Sequence, residues 1–276
     1  SLGLANDRLI RVSITPFGLT GAWHEWKGPA AVLLAMGGYT AIIGDPDREP
    51  LTIPGNYVHY QAGQYACIGA MAAMLEGRPA CRTVEVSMLD VLLSLSQFTT
   101  VIWTCNREVR GRHGNGWSNL HPINLYPCRD GWFFVNIVPT FWEAFTQMLG
   151  RPELKDDPRF ARSADRVVNR EALDRIIVEC LGSHTMNELL EMGQRQFRVP
   201  TGTLYSMADV LSDAHLQARH YFHNVSFHDV SDAAGLTVRS PSSPFRRIDG
   251  RDVKPMEDLT VMQRGKWSVD EVMGDG

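Results

Sequence analysis

The sequence predicts an α/β protein, and three observations predict it. Two short apolar runs rich in β-branched residues, 9–14 and 83–86, read as buried strands. Between them, residues 57–75 are nearly all small or apolar over a length that suits a helix and not a strand. Further on, the Asp130-Gly131 turn leads into a strand at 132–138, and amphipathic helical spacing follows at 140–149, 170–181 and 185–196.

Each element has its local cause. The first strand closes at Thr15-Pro16-Phe17-Gly18, a turn-forming run. A Trp23-His24-Glu25-Trp26 stretch follows, and its His-Glu pair reads as packing. A short apolar helix at 30–36 then stops at Gly37 and Gly38. Residues 44–50 (Gly-Asp-Pro-Asp-Arg-Glu-Pro) form a polar turn. In the 57–75 helix, Gly63, Ala66, Gly69, Ala70, Ala72 and Ala73 leave little side-chain bulk, which permits close approach by a strand, a helix or a ligand. Residues 88–104 read as one buried helix without a polar face. Residues 107–119, with three glycines and Arg107, Arg110, Arg112 and His113, read as a surface loop. Thr185 and Glu188 form a capping-box pattern. After Tyr221, strand-like runs alternate with Ser, Pro and Gly turns, and the chain past Asp252 reads as loosely held. The expected organisation is a large-domain portion at 1–106, a small α+β domain with linkers at 107–220, and a return segment at 221–276.

Composition narrows the function. With 276 residues, 44% of them hydrophobic and 21% charged, the chain can bury a core, which excludes wholesale disorder. Its 27 basic and 31 acidic residues leave a net charge of −4, which argues against a nucleic-acid binder working through a strongly basic face. No run of apolar residues is long enough for a membrane span, and the first residues lack the apolar core of a secretory signal. Five scattered cysteines with no Cys-x-x-Cys fit a reducing cytoplasm and argue against a disulfide framework or a zinc site. The chain begins with Ser and not Met, as expected of a trimmed or tagged chain. The usual P-loop, zinc-protease and Gly-x-Ser-x-Gly motifs are absent. His215, His220 and His223 cluster without an acidic or cysteine partner in ligand spacing, so no metal is expected. Asp156-Asp157-Pro158 reads as a solvated turn.

Six stretches, in order, carry a resemblance. They are Asp7-Arg8-Leu9-Ile10 with Val12-Ser13-Ile14 and Phe17-Gly18; residues 39–75 with Ala62-Gly63; Thr-Val-Glu-Val-Ser-Met at 83–88; Asp-Gly-Trp-Phe-Phe-Val at 130–135 with 150–160, Arg166 and Asn169; Val199-Pro200-Thr201-Gly202 with 212–219; and 240–245. Together they resemble the class III CoA-transferase family, the CaiB/BaiF group that includes formyl-CoA transferase. The resemblance implies a class III CoA-transferase fold: a partial Rossmann-like large domain plus a small α+β domain, in an interlocked dimer. It implies coenzyme A as substrate and product with no tightly bound cofactor, acyl-CoA and carboxylic acids as substrates, and a homodimer or a hetero-oligomer with a homologous subunit. Nucleic acid and membrane are not expected partners.

The resemblance also exposes two departures. The family opens with early strands and CoA contacts that have no counterpart before Leu9, so an upstream segment or another chain is expected to supply them. The transferases also use an aspartate that forms an anhydride and then a CoA thioester, which is covalent catalysis by a carboxylate. Counting back from Gly63 puts His59 at that position, and residues 56–63 hold no Asp or Glu. The racemase branch's His-Asp pair is also missing, with Gly28-Pro29-Ala30-Ala31 in its place.

By this resemblance His59 is the candidate catalytic residue, as base or nucleophile, against a reading as a polar helix cap. Thr15 stands where formyl-CoA transferase has a lysine near CoA, and Met88 where the family places a methionine against CoA. Gly114 belongs to a loop, 111–116, that stands where transferases carry a glycine-rich loop closing over the active site; Arg112 or His113 there can meet an anion. Three functions follow: a CoA-transferase completed by a partner or missing segment, a catalytically degenerate subunit stabilising an active homologue, or an acyl-CoA lyase, hydratase or thioesterase using His59.

Overall fold

The computed structural model describes residues 9–76, 82–226, 237–242, 244, 246–249 and 252–255. The chain forms two compact units, Ser1–Thr203 and Leu204–Gly276. In order, the first holds β1 (Ile10–Thr15), α1 (Ala30–Met36), α2 (Tyr57–Leu75), β2 (Arg82–Ser87), α3 (Met88–Leu95), α4 (Gln97–Asn106), β3 (Ile123–Cys128), β4 (Gly131–Asn136), α5 (Trp142–Met148), α6 (Ser163–Val168), α7 (Arg170–Leu181), α8 (Met186–Glu191) and β5 (Thr201–Thr203). The second holds α9 (Met207–Ser212), α10 (Ala214–Ala218), β6 (Phe222–Ser226), β7 (Thr237–Pro241), β8 (Arg246–Asp249) and β9 (Asp252–Pro255).

β1 and β2 pair in parallel, with Val12 opposite Val84 and Thr15 opposite Ser87. A parallel pair needs a long crossover, and α1 and α2 lie within it. The small residues of α2 have a packing cause: a Cβ on Gly69 would lie 2.7 Å from Val84 Cγ1. Ala66, Val86 and Val91 bury one small cluster there, and Leu33, Leu34, Val58, Leu89 and Leu92 bury a second, flanked by Phe17, Tyr39, Tyr57 and Met88.

The expected single helix at 88–104 is two helices. Ser96 separates α3 from α4, which are bent by 64°. The Ser96 hydroxyl donates to Leu93 O at 2.9 Å, the back-bonding that bends helices at serine. α4 is also not buried: Phe98, Val101 and Trp103 are exposed.

The larger core lies under an antiparallel sheet of order β3-β4-β5. Phe133 and Val135 of β4, Phe145 of α5, and Leu173, Ile177 and Leu181 of α7 meet there. Strand β3 escapes sequence reading because Pro127 interrupts it; as an edge strand it tolerates the missing donor. The 140–149 helix opens as a 3-10 turn, Pro139–Phe141, before α5. The capping box at Thr185 and Glu188 forms and starts α8, whose last turn widens at Met192–Gln196.

In the second unit, Ser206 and Asp209 form a second capping box, β6 pairs antiparallel with β7, and β8 with β9. The expectation of a loose tail beyond Pro255, together with Asp7, Arg8 and Cys81, lies outside the described residues. Among the described residues, no single helix is long and apolar enough to cross a membrane.

Candidate functional site

In open α/β sheets, ligands gather at the carboxyl ends of the parallel strands. Thr15 ends β1 there, opposite Ser87, and Met88 follows directly, so the ribbon brings two of the sequence candidates to one end. Thr15 Oγ1 accepts the Gly18 N–H at 2.9 Å, and Leu89 N–H donates to Pro16 O at 3.1 Å, which fixes the exit of β1 against the start of α3. Ser87 caps α3 by accepting the Asp90 N–H at 3.2 Å. Met88 is half-buried against the Leu33 cluster. Just beyond, Trp23 and Trp26 stack with ring centroids 5.3 Å apart, and Phe17 meets both edge-on. Lys27, next in sequence, is exposed.

His59 lies in the first turn of α2 and is exposed, and among the described residues no carboxylate pairs with it. The acids close to the small-residue helix stand on the neighbouring elements. A cleft of about 360 Å³ runs between Tyr65 and Gly69 of α2, Val84 to Ser87 of β2, and Asp90 and Ser94 of α3. Of its two carboxylates, Glu85 is occupied by the Leu19 N–H, whereas Asp90 is exposed on the first turn of α3. Ser94 Oγ donates to the Tyr65 hydroxyl at 3.0 Å and ties α3 to α2 along this cleft.

Gly114 sits elsewhere, in a loop that is fastened and not free. Its N–H donates to Gly44 O at 2.9 Å, and its φ of 59° lies in the left-handed region. Arg112 reaches across to the same turn, donating from Nε to Asp45 O at 3.1 Å and from Nη2 to Pro46 O at 3.1 Å and Arg48 O at 3.2 Å. The two segments enclose a cleft of about 390 Å³. With its guanidinium committed to three carbonyls, Arg112 does structural work here; His113 is exposed.

Arg110 is placed differently. Its guanidinium lies 5.6 Å from the Phe98 ring and 5.1 Å from the Trp117 ring, and Nη1 donates to Thr99 Oγ1 at 3.3 Å. It lines a cavity of about 120 Å³ with Gly37, Gly38, Tyr39, Ile42, Ser96 and Thr99. Burial first, then the neighbouring Tyr57, pushes the Tyr39 phenol up to about 12, and its hydroxyl donates to Leu92 O at 3.0 Å.

Sequence reading missed Arg110, Lys27 and Asp90. Lys27 and Asp90 carried a signal, a lone charge beside a Trp pair and an acid opening a helix after a strand. Arg110 carried none, because Phe98 and Trp117 reach it only through the fold.

The architecture and strand-end arrangement define an α/β protein of the open parallel type joined to an antiparallel α+β portion. The chain belongs to CoA-transferase family III, whose model matches residues 1–251. It is 32% identical over 218 residues to the succinyl-CoA–D-citramalate CoA-transferase of Chloroflexus aurantiacus, covering 78% of this chain and 54% of the relative. It is 25% identical over 238 residues to the succinyl-CoA–L-malate CoA-transferase beta subunit of the same organism, covering 84% and 58%. A solved CaiB/BaiF family protein from Brucella suis superposes with a TM-score of 0.73 at 26% identity, covering 92% of this chain and 65% of that one. The chain thus spans about half the length of the curated relatives it matches.

Proposed function

We propose that this chain works in a CoA-transferase that moves CoA between carboxylic acids, with acyl-CoA and free acid as substrates and coenzyme A carried in both directions. The observation that carries the reading is the family match over 251 residues, joined to a parallel-strand end where Thr15 and Met88 stand together. Short diacids are the favoured substrates: the two named relatives take CoA from succinyl-CoA to D-citramalate or L-malate, and all three acids are four- or five-carbon dicarboxylates. In this reading the thioester lies along the small-residue face of α2, Met88 packs against CoA, and Thr15 gives it a hydroxyl.

His59 stands at the reacting carbonyl, and a partner chain of the same family, as homodimer or hetero-oligomer, supplies the carboxylate that a transfer through anhydride and thioester needs. The beta-subunit relative and the absence of acid at 56–63 favour a second reading, in which this chain is the non-catalytic member of such an assembly.

The experiment is to incubate the native assembly with succinyl-CoA and an acceptor diacid, then trap with hydroxylamine. The transferase reading expects a hydroxamate-modified carboxylate on one of the chains; turnover without any trapped carboxylate overturns it. His59→Ala separates the two readings: if His59 works at the carbonyl, kcat falls about 10²-fold or more, as for loss of a general base. Unchanged turnover assigns the chain a supporting role, and turnover of acyl-CoA alone, no acceptor present, that His59→Ala abolishes identifies a lyase, hydratase or thioesterase.

A further inference from the structure

We infer that the Arg110 cavity is the acceptor-acid pocket, holding a carboxylate of a short diacid on the Arg110 guanidinium. The inference rests on the transferase reading for the identity of the acid, and on geometry for the site. Arg110 is half-buried, its guanidinium carbon lies 5.6 Å from the Phe98 ring and 5.1 Å from the Trp117 ring, and its one hydrogen bond runs to the neutral Thr99 hydroxyl at 3.3 Å. Among the described residues no carboxylate pairs with it, in contrast to Arg151, Arg159 and Arg162, which are all paired with acids. The planar guanidinium carries its edge donors in a fork, and that fork matches a carboxylate.

The size of the cavity selects the ligand. About 120 Å³ is well below the roughly 300–1,000 Å³ of drug-sized sites. A small acid fits and a bulky acyl chain does not. The Thr99 hydroxyl lines the cavity beside the arginine and keeps a proton to donate to a bound acid, whereas the Ser96 hydroxyl and the Gly37 and Gly38 N–H groups are already bonded to Leu93 O, Leu33 O and Ala35 O. The place in the fold is also right. Tyr39, which lines the cavity, packs its ring 6.4 Å from that of Tyr57, the first residue of α2 and two before His59. Tyr39 thus joins the cavity to the first turn of α2, which carries His59.

Titration calorimetry with succinate on the native assembly, at fixed ionic strength, tests the pocket directly. Wild-type protein is expected to bind, and Arg110→Gln to bind about 10- to 100-fold more weakly, the value of a charge-assisted hydrogen-bonded pair. Arg110→Lys keeps the charge but loses the fork and falls between them. Thr99→Met keeps the arginine, fills the cavity and blocks binding, so the test stands even if Arg110→Gln does not fold. Succinate binding unchanged in Thr99→Met, or in folded Arg110→Gln, overturns the pocket. In turnover, the KM for the acceptor acid rises about tenfold or more in Arg110→Gln while that for acyl-CoA stays put. If transfer proceeds with the acceptor KM unmoved, the pocket fails and the transferase reading survives. If wild type transfers nothing yet binds succinate through Arg110, the transferase reading fails and the pocket survives.

Discussion

Asp174 joins three parts of the larger core through one oxygen. Oδ1 accepts the Tyr126 hydroxyl at 2.5 Å and lies 3.0 Å from His121 Nε2, off the line of a directed hydrogen bond. Beside it, buried Arg166 donates to His121 O at 2.9 Å and Phe160 O at 2.8 Å and stacks 4.4 Å from the Trp142 ring. Removing the carboxylate strands a buried phenol, so Asp174→Ala is expected to lower stability by about 1–3 kcal/mol, read as a lower urea midpoint. The same network sets an alkaline limit. Burial first, then the Asp174 charge and hydrogen bond, pushes the Tyr126 phenol well above its ordinary value. A raised native pKa gives stability that is whole below the unfolded value of about 10 and is lost as pH rises toward the native one. Urea midpoints measured at about pH 9 and pH 11 should fall more steeply in wild type than in Tyr126→Phe; equal slopes would dismiss the linkage. None of this was legible in sequence, since Tyr126 and Asp174 stand far apart along the chain. The place of His59 in the first turn of α2 was legible, because it follows from the start of one helix.

Elements were legible where sequence punctuation agrees with packing. The 30–36, 57–75 and 170–181 helices form over the expected residues, because each is a continuous helical pattern with little tertiary override. The break at Ser96 was hidden, since a serine inside an apolar run is compatible with one straight helix until its hydroxyl turns back on the chain. The glycines of α2 show how one composition serves two purposes. Gly69 faces β2 and has no room for a Cβ, whereas Gly63 is exposed and has open space around it. Gly69→Ala is therefore expected to cost about 1–3 kcal/mol by overpacking against the stiff Val84. Gly63→Ala should gain about 0.5–1 kcal/mol, the usual helix benefit. If α2 carries the thioester on its open side, the stabilised Gly63→Ala protein will show a higher KM for acyl-CoA. Thermal unfolding and steady-state kinetics on the pair check both halves, and a Gly63→Ala protein that is more stable with an unchanged KM removes the ligand from that face.

At the scale of the molecule, large apolar side chains stand exposed on described strands and helices of the first unit. Parallel sheets in α/β proteins are covered on both faces, yet Val12 and Ile14 of β1 are 38% and 43% exposed. The outer face of α2 presents Tyr60, Ile68, Met71, Met74 and Leu75 at helical spacing, all at least half exposed, with Leu75 at 87%. Contiguous apolar faces of this kind mark interaction surfaces. The expected occupant is the one proposed above as the source of the carboxylate, a second chain of the same family. Native mass spectrometry should then give an assembly larger than one chain. Ile68→Glu combined with Met71→Glu should dissociate it, because each charge must be desolvated at the joint. Both side chains are exposed in the isolated fold, so helical circular dichroism and the urea midpoint are expected to hold while the native mass drops. CoA transfer should vanish with the assembly and return when an unmutated partner chain is added in excess. A native mass of one chain before any mutation, or an assembly that survives the double substitution intact, would place the interface off α2 and detach the missing carboxylate from this face.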